Sequence, residues 1–270
     1  MVFRLGVLAL CCAAMAGTAA GQTPSLSITP PRLETEIPAG AEKTVSFEIG
    51  IPAAAERVTG RLLLSLTDWN IKEDGSMGYG EPGTLDRSAS SWVTFSPSAF
   101  TAASGQRQLV RLTIKTPPGI EPGVYRSAIF IQGRPSAAPP KNDTGVIFVR
   151  LRYAVSLLVV IPPVSSHPSL ADVAVEVTAP RIRLVCTLNN SGTAHVRPVV
   201  RWTIKGAGGD LLSEGRRDAT LLLPSSTLRE PYALSDVLAP GAYEMSVVVD
   251  FRDGQPLQAM SRRFDVAAGP

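Results

Sequence analysis

The apolar residues of this chain alternate with polar residues in short runs, and glycine, proline, asparagine and serine separate the runs. Alternation is typical of strands with one buried face, whereas a helix repeats its apolar residues every three or four positions. No helical spacing is sustained over three turns beyond residue 25. The sequence therefore predicts an all-β protein.

A proline-rich segment at residues 162–168 divides the runs into two groups. Several short strands in each half are typical of an immunoglobulin-like β-sandwich of about 100 residues. We predict two such domains in tandem, at residues 22–161 and 170–270, joined by a linker at residues 162–169. The expected strands are 44–51, 58–69, 92–95, 109–116, 124–132 and 146–161 in the first half, and 173–178, 182–188, 196–204, 219–223, 243–251 and 257–266 in the second.

Residues 1–21 have the pattern of a secretory signal peptide. Arg4 is the positive residue, an apolar stretch follows it, and the small residues Ala19, Ala20 and Gly21 form the expected cleavage region. The apolar stretch is shorter than the roughly 20 residues that span a membrane. We therefore predict export, with a periplasmic location for the mature chain.

Composition disfavours several classes of function. The net charge is only +3 and the basic residues are dispersed, so no nucleic-acid surface is indicated. Two His and three Cys leave little material for metal sites or nucleophilic catalysis. Asp68, Glu73 and Asp74 are interpreted as a solvated turn, and the glycine-rich residues 78–83 as a loop. We expect no enzymatic activity, no cofactor or metal, and no small-molecule substrate.

A weak repeat supports the two-domain interpretation. Pro-Gly precedes Tyr125 by two positions in the first half, and the same spacing precedes Tyr243 in the second. Pro-Gly favours a turn, and a tyrosine just after it can hydrogen-bond the preceding loop through its hydroxyl, as in a tyrosine corner. Both tyrosines are expected to be structural.

The last predicted strand of the first half stands out by its length. Every second residue from 147 to 161 is apolar, and the opposite face carries Arg150, Arg152 and Ser156. Strands usually have five or six residues, so a small sandwich has no room to bury all sixteen. An exposed apolar edge is normally avoided, and where one persists it suits pairing with a partner's strand. The alternative is an ordinary core strand that extends into the linker.

Taken in order, several segments of the first half resemble the PapD-like periplasmic pilus-assembly chaperones, as a divergent member. They are residues 28–33, the strand end at Trp69 with Asp74-Gly75, residues 88–97, 105–112 and 122–126, and the long strand that ends before Pro162. The second half resembles the family only as a second sandwich after a short linker. In this family the long strand completes a pilus subunit that lacks its own last strand, which is donor-strand complementation.

The resemblance implies roles for individual residues. Arg32 matches a cleft arginine that binds the subunit's terminal carboxylate, a task that suits the forked guanidinium. Ile147, Val149 and Leu151 fall on the donor positions, and Tyr153 continues their face. At Ser156 the family pattern has a second anchor, a lysine, and Arg150 and Arg152 are the neighbouring cations considered as its replacement.

The expected function is therefore that of a periplasmic chaperone without enzymatic activity. Its expected partners are an exported, β-rich, pilin-like subunit and an outer-membrane usher. The alternative is a structural or surface-assembly module of the cell envelope that uses the same strand for permanent oligomerisation.

Overall fold

The computed structural model describes residues 26–53, 60–133, 152–178, 181–234 and 238–267. These residues form seventeen β-strands and one 3₁₀ turn at Ser90–Trp92. In chain order the strands are β1 (Ser27–Thr29), β2 (Arg32–Glu36), β3 (Glu42–Gly50), β4 (Gly60–Ile71), β5 (Met77–Gly80), β6 (Val93–Ser96), β7 (Ala99–Ala102), β8 (Arg107–Lys115), β9 (Gly123–Gly133), β10 (Arg152–Ile161), β11 (Pro168–Thr178), β12 (Arg181–Asn190), β13 (Val199–Gly206), β14 (Leu211–Asp218), β15 (Ser226–Leu234), β16 (Gly241–Asp250) and β17 (Gln258–Val266). No helix within the described ranges is long and apolar enough to cross a membrane.

The first ten strands form two packed sheets. One has the order β1-β3-β8-β6, and the other has the order β2-β10-β9-β4-β5, with β7 paired to part of β4. All pairings between these strands are antiparallel except that of β2 with β10, which is parallel. Phe47, Leu112, Ile129 and Leu157 lie between the two sheets and are at most 1% exposed.

The last seven strands form the second sandwich. Its sheets have the orders β11-β12-β15 and β14-β13-β16-β17. Side chains of β17 join the two sheets at one side, where Arg262 Nε donates to the Val173 carbonyl over 2.8 Å. The prediction of an all-β chain with two tandem sandwiches is confirmed by these four sheets.

One face of β12 lies in the core of the second sandwich. Ile182, Leu184, Cys186 and Leu188 are all at most 2% exposed and belong to one apolar cluster. Burial raises the pKa of the Cys186 thiol to about 12, so the thiol stays protonated and unreactive. Cys186 is a small, free core residue.

Both predicted tyrosine corners are present. The Tyr125 hydroxyl donates to the Glu121 carbonyl over 3.0 Å, and the Tyr243 hydroxyl donates to the Ala239 carbonyl over 2.6 Å. In each case the acceptor lies four residues earlier in the chain, so the two turns have the same construction. The repeat seen in the sequence is therefore a structural one.

The strands predicted for the second half differ from the observed ones in several places. Residues 219–223 form a loop with one isolated bridge at Leu222. Its apolar side chains pack on two sides, Leu222 in the core of the second sandwich and Leu223 against residues of the first. The sequence pattern missed β14 and β15, because half of the residues of β14 are charged and β15 contains Pro231. β11 begins at Pro168, inside the expected linker, at the first position of a strand, where a missing N–H is tolerated.

Asp68 differs from the solvated turn expected for it. The residue is fully buried in β4, and its carboxylate accepts from Ser88, Ser90 and the backbone N–H groups of Thr84 and Leu85. Burial alone favours the protonated form, but these hydrogen bonds outweigh it and lower the pKa of Asp68. Asp74 does lie in a turn, where it accepts from Ser76. Residues 78–80 of the expected glycine-rich loop belong to β5.

Candidate partner-binding site

Among the described residues, one edge of β10 is open at its beginning. β9 pairs with β10 over the whole strand, from Arg152 to Ile161, whereas β2 pairs only with residues Ser156–Val160. On the β2 side, residues 152–155 therefore have no neighbouring strand within the described part of the chain. An open edge of this kind offers main-chain groups to another strand.

The direction of the main-chain groups on this edge follows from one hydrogen bond. The Val160 carbonyl accepts from the Ile37 N–H over 3.0 Å, so it points towards the β2 side. Alternate residues of a strand direct their N–H and C=O groups to the same neighbour. Ala154 and Arg152 lie an even number of residues from Val160. Their main-chain N–H and C=O groups therefore point towards the open edge.

Arg32 lies where this open edge ends. It is the first residue of β2 and the register partner of Ser156 on β10, and neighbouring partners in a sheet place their side chains on the same face. Arg32 is exposed, and no hydrogen bond or ion pair joins it to any residue that the structure describes. Its guanidinium is available to an external anion.

The other predicted site residues divide into two groups. Ile147, Val149, Arg150 and Leu151 lie outside the described residues. Tyr153 and Arg152 are described and belong to opposite faces of β10. Tyr153 is half-buried against the first core, and its hydroxyl accepts from the Leu26 N–H over 3.3 Å.

Arg152 is oriented towards an aromatic side chain. Its guanidinium lies 4.7 Å from the centre of the Phe130 ring, a cation–π contact. Four residues of strand, about 13 Å, separate Arg152 from Ser156 along β10. This placement leaves Arg32 as the cation at the closed end of the open edge and Arg152 as the cation near its beginning.

The face of β10 that carries Ser156 continues into a contact between the two sandwiches. Leu158 packs with Trp69, Val124 and Ala128 of the first sandwich and with Leu223 of the second, and all five are at most 3% exposed. The β4–β5 turn adds a main-chain contact, in which Arg229 N–H donates to the Glu73 carbonyl over 2.6 Å. We refer to the five apolar side chains as the apolar contact.

A polar cleft of about 490 Å³ lies beside the apolar contact. Its charged and titratable lining residues are Glu34, Glu36, His195, Arg197, Arg252 and Asp253. Glu34 of β2 joins the two sandwiches here, since its carboxylate lies 2.6 Å from Arg197 Nη2 and 3.1 Å from His195 Nε2. No group of three or more His, Cys, Asp or Glu suited to a metal ion occurs in the described ranges.

The sequence reasoning did not identify Glu34, His195 and Arg197. One sequence pattern did indicate a charged surface on β2. Arg32, Glu34 and Glu36 alternate with buried residues and so share one face of the strand. The partners of that face come from a loop more than 150 residues later, and no spacing rule connects the two segments.

No family model and no curated protein sequence matches this chain. The backbone is similar to solved structures named as chaperones or chaperone complexes. A chain of the CsuC–CsuE chaperone–tip adhesion subunit complex from the archaic chaperone-usher Csu pili of Acinetobacter baumannii is 15% identical, with a TM-score of 0.46 and coverage of 88% of this chain and 97% of that chain.

Two further structures are similar at the same level. A chain of a chaperone–tip adhesin complex of CFA/I fimbriae biogenesis is 10% identical, with a TM-score of 0.45 and coverage of 88% and 98% of the two chains. The E. coli chaperone DraB is 14% identical, with a TM-score of 0.40 and coverage of 91% and 99%. At these identities and TM-scores, the likeness does not by itself assign a function to this chain.

Proposed function

We propose that this protein is a periplasmic chaperone that binds an exported, incomplete β-sandwich subunit by adding a strand to it. The observation that carries the proposal is the open edge of β10 at residues 152–155. Main-chain hydrogen bonds along this edge supply affinity without requiring a particular client sequence.

The position of Arg32 gives the bound strand a direction. A client strand that enters the open edge parallel to β10 runs in line with β2 and ends where β2 begins, at Arg32. A terminal carboxylate at that point meets an exposed, unpaired guanidinium, which can hold it through two parallel hydrogen bonds. Arg32 thus fixes the register of the client strand.

The donor residues proposed from the sequence precede this edge. Ile147, Val149 and Leu151 share a parity with Tyr153 and Val155, whose side chains face the first core. We propose that these three side chains fill the groove left open in the client. Arg152, on the opposite face of β10, is proposed to add positive charge near the beginning of the edge, as is Arg150, which lies outside the described residues.

The mechanism requires no nucleotide, metal or chemical step by the protein. The client leaves when a better-packing strand of the next subunit replaces the chaperone strand. An outer-membrane usher that receives the complex is part of this proposal. The predicted signal peptide at residues 1–21 supports a periplasmic location.

Capture of the client tests the proposal. The tagged protein is purified from the envelope of its native host, and the mass of the intact complex is measured by native mass spectrometry. We expect a one-to-one complex with a β-rich exported protein. A self-assembly with no other component would contradict the proposal and favour the permanent structural module.

A matched pair of variants tests the role of the open edge. Ala154→Pro removes an N–H that points to this edge, and proline is tolerated on sheet edges. Ala154→Val keeps the N–H and adds a residue that favours strands. We expect Ala154→Pro to lose the client and Ala154→Val to retain it, and equal retention by both variants would exclude this edge as the binding site.

A further inference from the structure

His195 occupies an unusual position between the two sandwiches. It lies in the loop between β12 and β13, and its side chain is only 7% exposed. Its Nε2 lies 3.1 Å from Glu34 Oε1 and 2.9 Å from Arg197 Nη1. One nitrogen therefore faces both a carboxylate acceptor and a guanidinium donor.

The second ring nitrogen restricts the protonation state further. His195 Nδ1 is buried and has no hydrogen-bond partner among the described residues. A neutral imidazole has one N–H and one bare nitrogen, whereas an imidazolium has an N–H on both. The neutral ring can place its single N–H on Nε2, beside the Glu34 acceptor, and leave the buried Nδ1 bare. Protonation adds an N–H on Nδ1 without an acceptor among the described residues while Nε2–H still faces the Arg197 donor, and both placements cost free energy. The geometry thus accommodates the neutral ring.

The surrounding charges act in both directions on the ring. Burial lowers the pKa of His195, the Glu34 carboxylate opposes this effect, and the nearby Arg197 and Arg32 lower it again. The other charged groups of the cleft have their own contacts. Arg252 pairs with Asp218 over 3.0 Å, and Asp253 accepts from the Ser166 hydroxyl over 3.2 Å. Glu36 also lines the cleft.

The loop that carries His195 is joined to the apolar contact. Val196 and Leu222 exchange two main-chain hydrogen bonds of 3.0 Å, and the residue after Leu222 is Leu223, which packs on Trp69. The backbone next to residue 195 is therefore linked through one bridge to the apolar side chain that joins the sandwiches.

We propose that Glu34, His195 and Arg197 form a pH-sensitive latch between the two sandwiches, closed while His195 is neutral and released when His195 is protonated. The closed latch is fully formed above the ordinary histidine pKa of about 6.5. It is lost as the pH falls through the pKa of His195 in the closed latch, which is lower than the ordinary one. This inference does not depend on the chaperone proposal, because it concerns only contacts within the chain.

The first test is an NMR titration of the whole protein. The chain contains two histidines, so its long-range ¹H–¹⁵N spectrum has two sets of imidazole signals, and the variant His167→Gln assigns them. We expect His195 to titrate below the ordinary histidine value. A titration at or above that value would overturn the proposal without any change at His195 itself.

The second test measures the contact between the sandwiches. The Arg229 amide donates across it to Glu73, so its hydrogen-exchange protection factor reports whether the contact is closed. We compare about pH 8 with about pH 5, on either side of the ordinary histidine pKa. We expect the protection factor to fall by roughly tenfold for each pH unit that separates the pKa of His195 in the closed latch from the ordinary histidine pKa.

Two variants separate the latch from a general effect of acid. His195→Gln has no titrating ring, so its Arg229 protection factor should not depend on pH in this range. His167→Gln, which changes an exposed loop histidine, should retain the full wild-type dependence. An unchanged protection factor in the wild type, or the same fall in His195→Gln as in the wild type, would contradict the latch.

Discussion

The two faces of β10 have different roles although they alternate along one strand. Val155, Leu157, Val159 and Ile161 face the core of the first sandwich and are at most 1% exposed. Ser156, Leu158 and Val160 face the second sandwich, where only Leu158 is fully buried. The inner face stabilises a domain, and the outer face connects two domains and carries the residues beside Arg32.

The largest effect is expected on the inner face. Leu157→Ala leaves a cavity in the first core, and we expect it to lower the free energy of unfolding by about 2–5 kcal/mol. Chemical denaturation followed by circular dichroism measures this. A loss well below this range would show that the inner face is not the main core contact of β10.

Leu158→Ala tests the outer face with the same chemical change. The deleted side chain lies in the apolar contact, so we expect a loss of about 2–3 kcal/mol, at the lower end for a buried leucine. Hydrogen exchange of the Arg229 amide should accelerate in this variant more than in Leu157→Ala. The reverse order would indicate that Leu158 belongs to the core of the first sandwich.

Arg32→Ala separates binding from stability. Arg32 is exposed and unpaired in the described structure, so we expect no measurable change in unfolding. Loss of a charge-assisted hydrogen bond to the client should cost about 1.5–3 kcal/mol of binding free energy, measured by competition with wild-type protein for the captured client.

The control is Arg111→Ala, which removes an exposed arginine from β8 in the opposite sheet. This variant should bind the client as the wild type does. If both variants lose affinity equally, the effect comes from net charge and not from an anchor at residue 32.

Ser156→Lys is expected to have the smallest effect. The new ammonium lies beside Arg32, where it adds positive charge for a client carboxylate and also repels the guanidinium. We expect affinity to rise by about 0.2–1 kcal/mol, the range of exposed ion pairs, and to fall again with added salt. Ser156→Met, similar in length and uncharged, should show neither change when binding is titrated across a salt series.

The period of two predicted the fold class, because apolar residues such as Val110, Leu112 and Ile114 alternate with polar residues along a strand. Pro-Gly-x-Tyr predicted both tyrosine corners, since a turn and its hydrogen bond depend on residues close in the chain. Local patterns of this kind do not require knowledge of the tertiary structure.

Other features were beyond the sequence patterns for stated physical reasons. Half of the residues of β14 are charged, since both of its faces are largely exposed and no apolar period is required there. Asp68 is buried because its acceptors are satisfied by residues 84–90, a long-range contact. The pairing of Glu34 with His195 and Arg197 likewise depends on how the sandwiches meet.

The central claim is that a client strand pairs with the open edge of β10. Hydrogen exchange of the Arg152 and Ala154 amides, measured for the protein alone and for its purified client complex, tests this claim most directly. Strand addition predicts that both amides exchange rapidly in the free protein and become protected in the complex. A stable client complex in which these two amides remain unprotected would contradict the account.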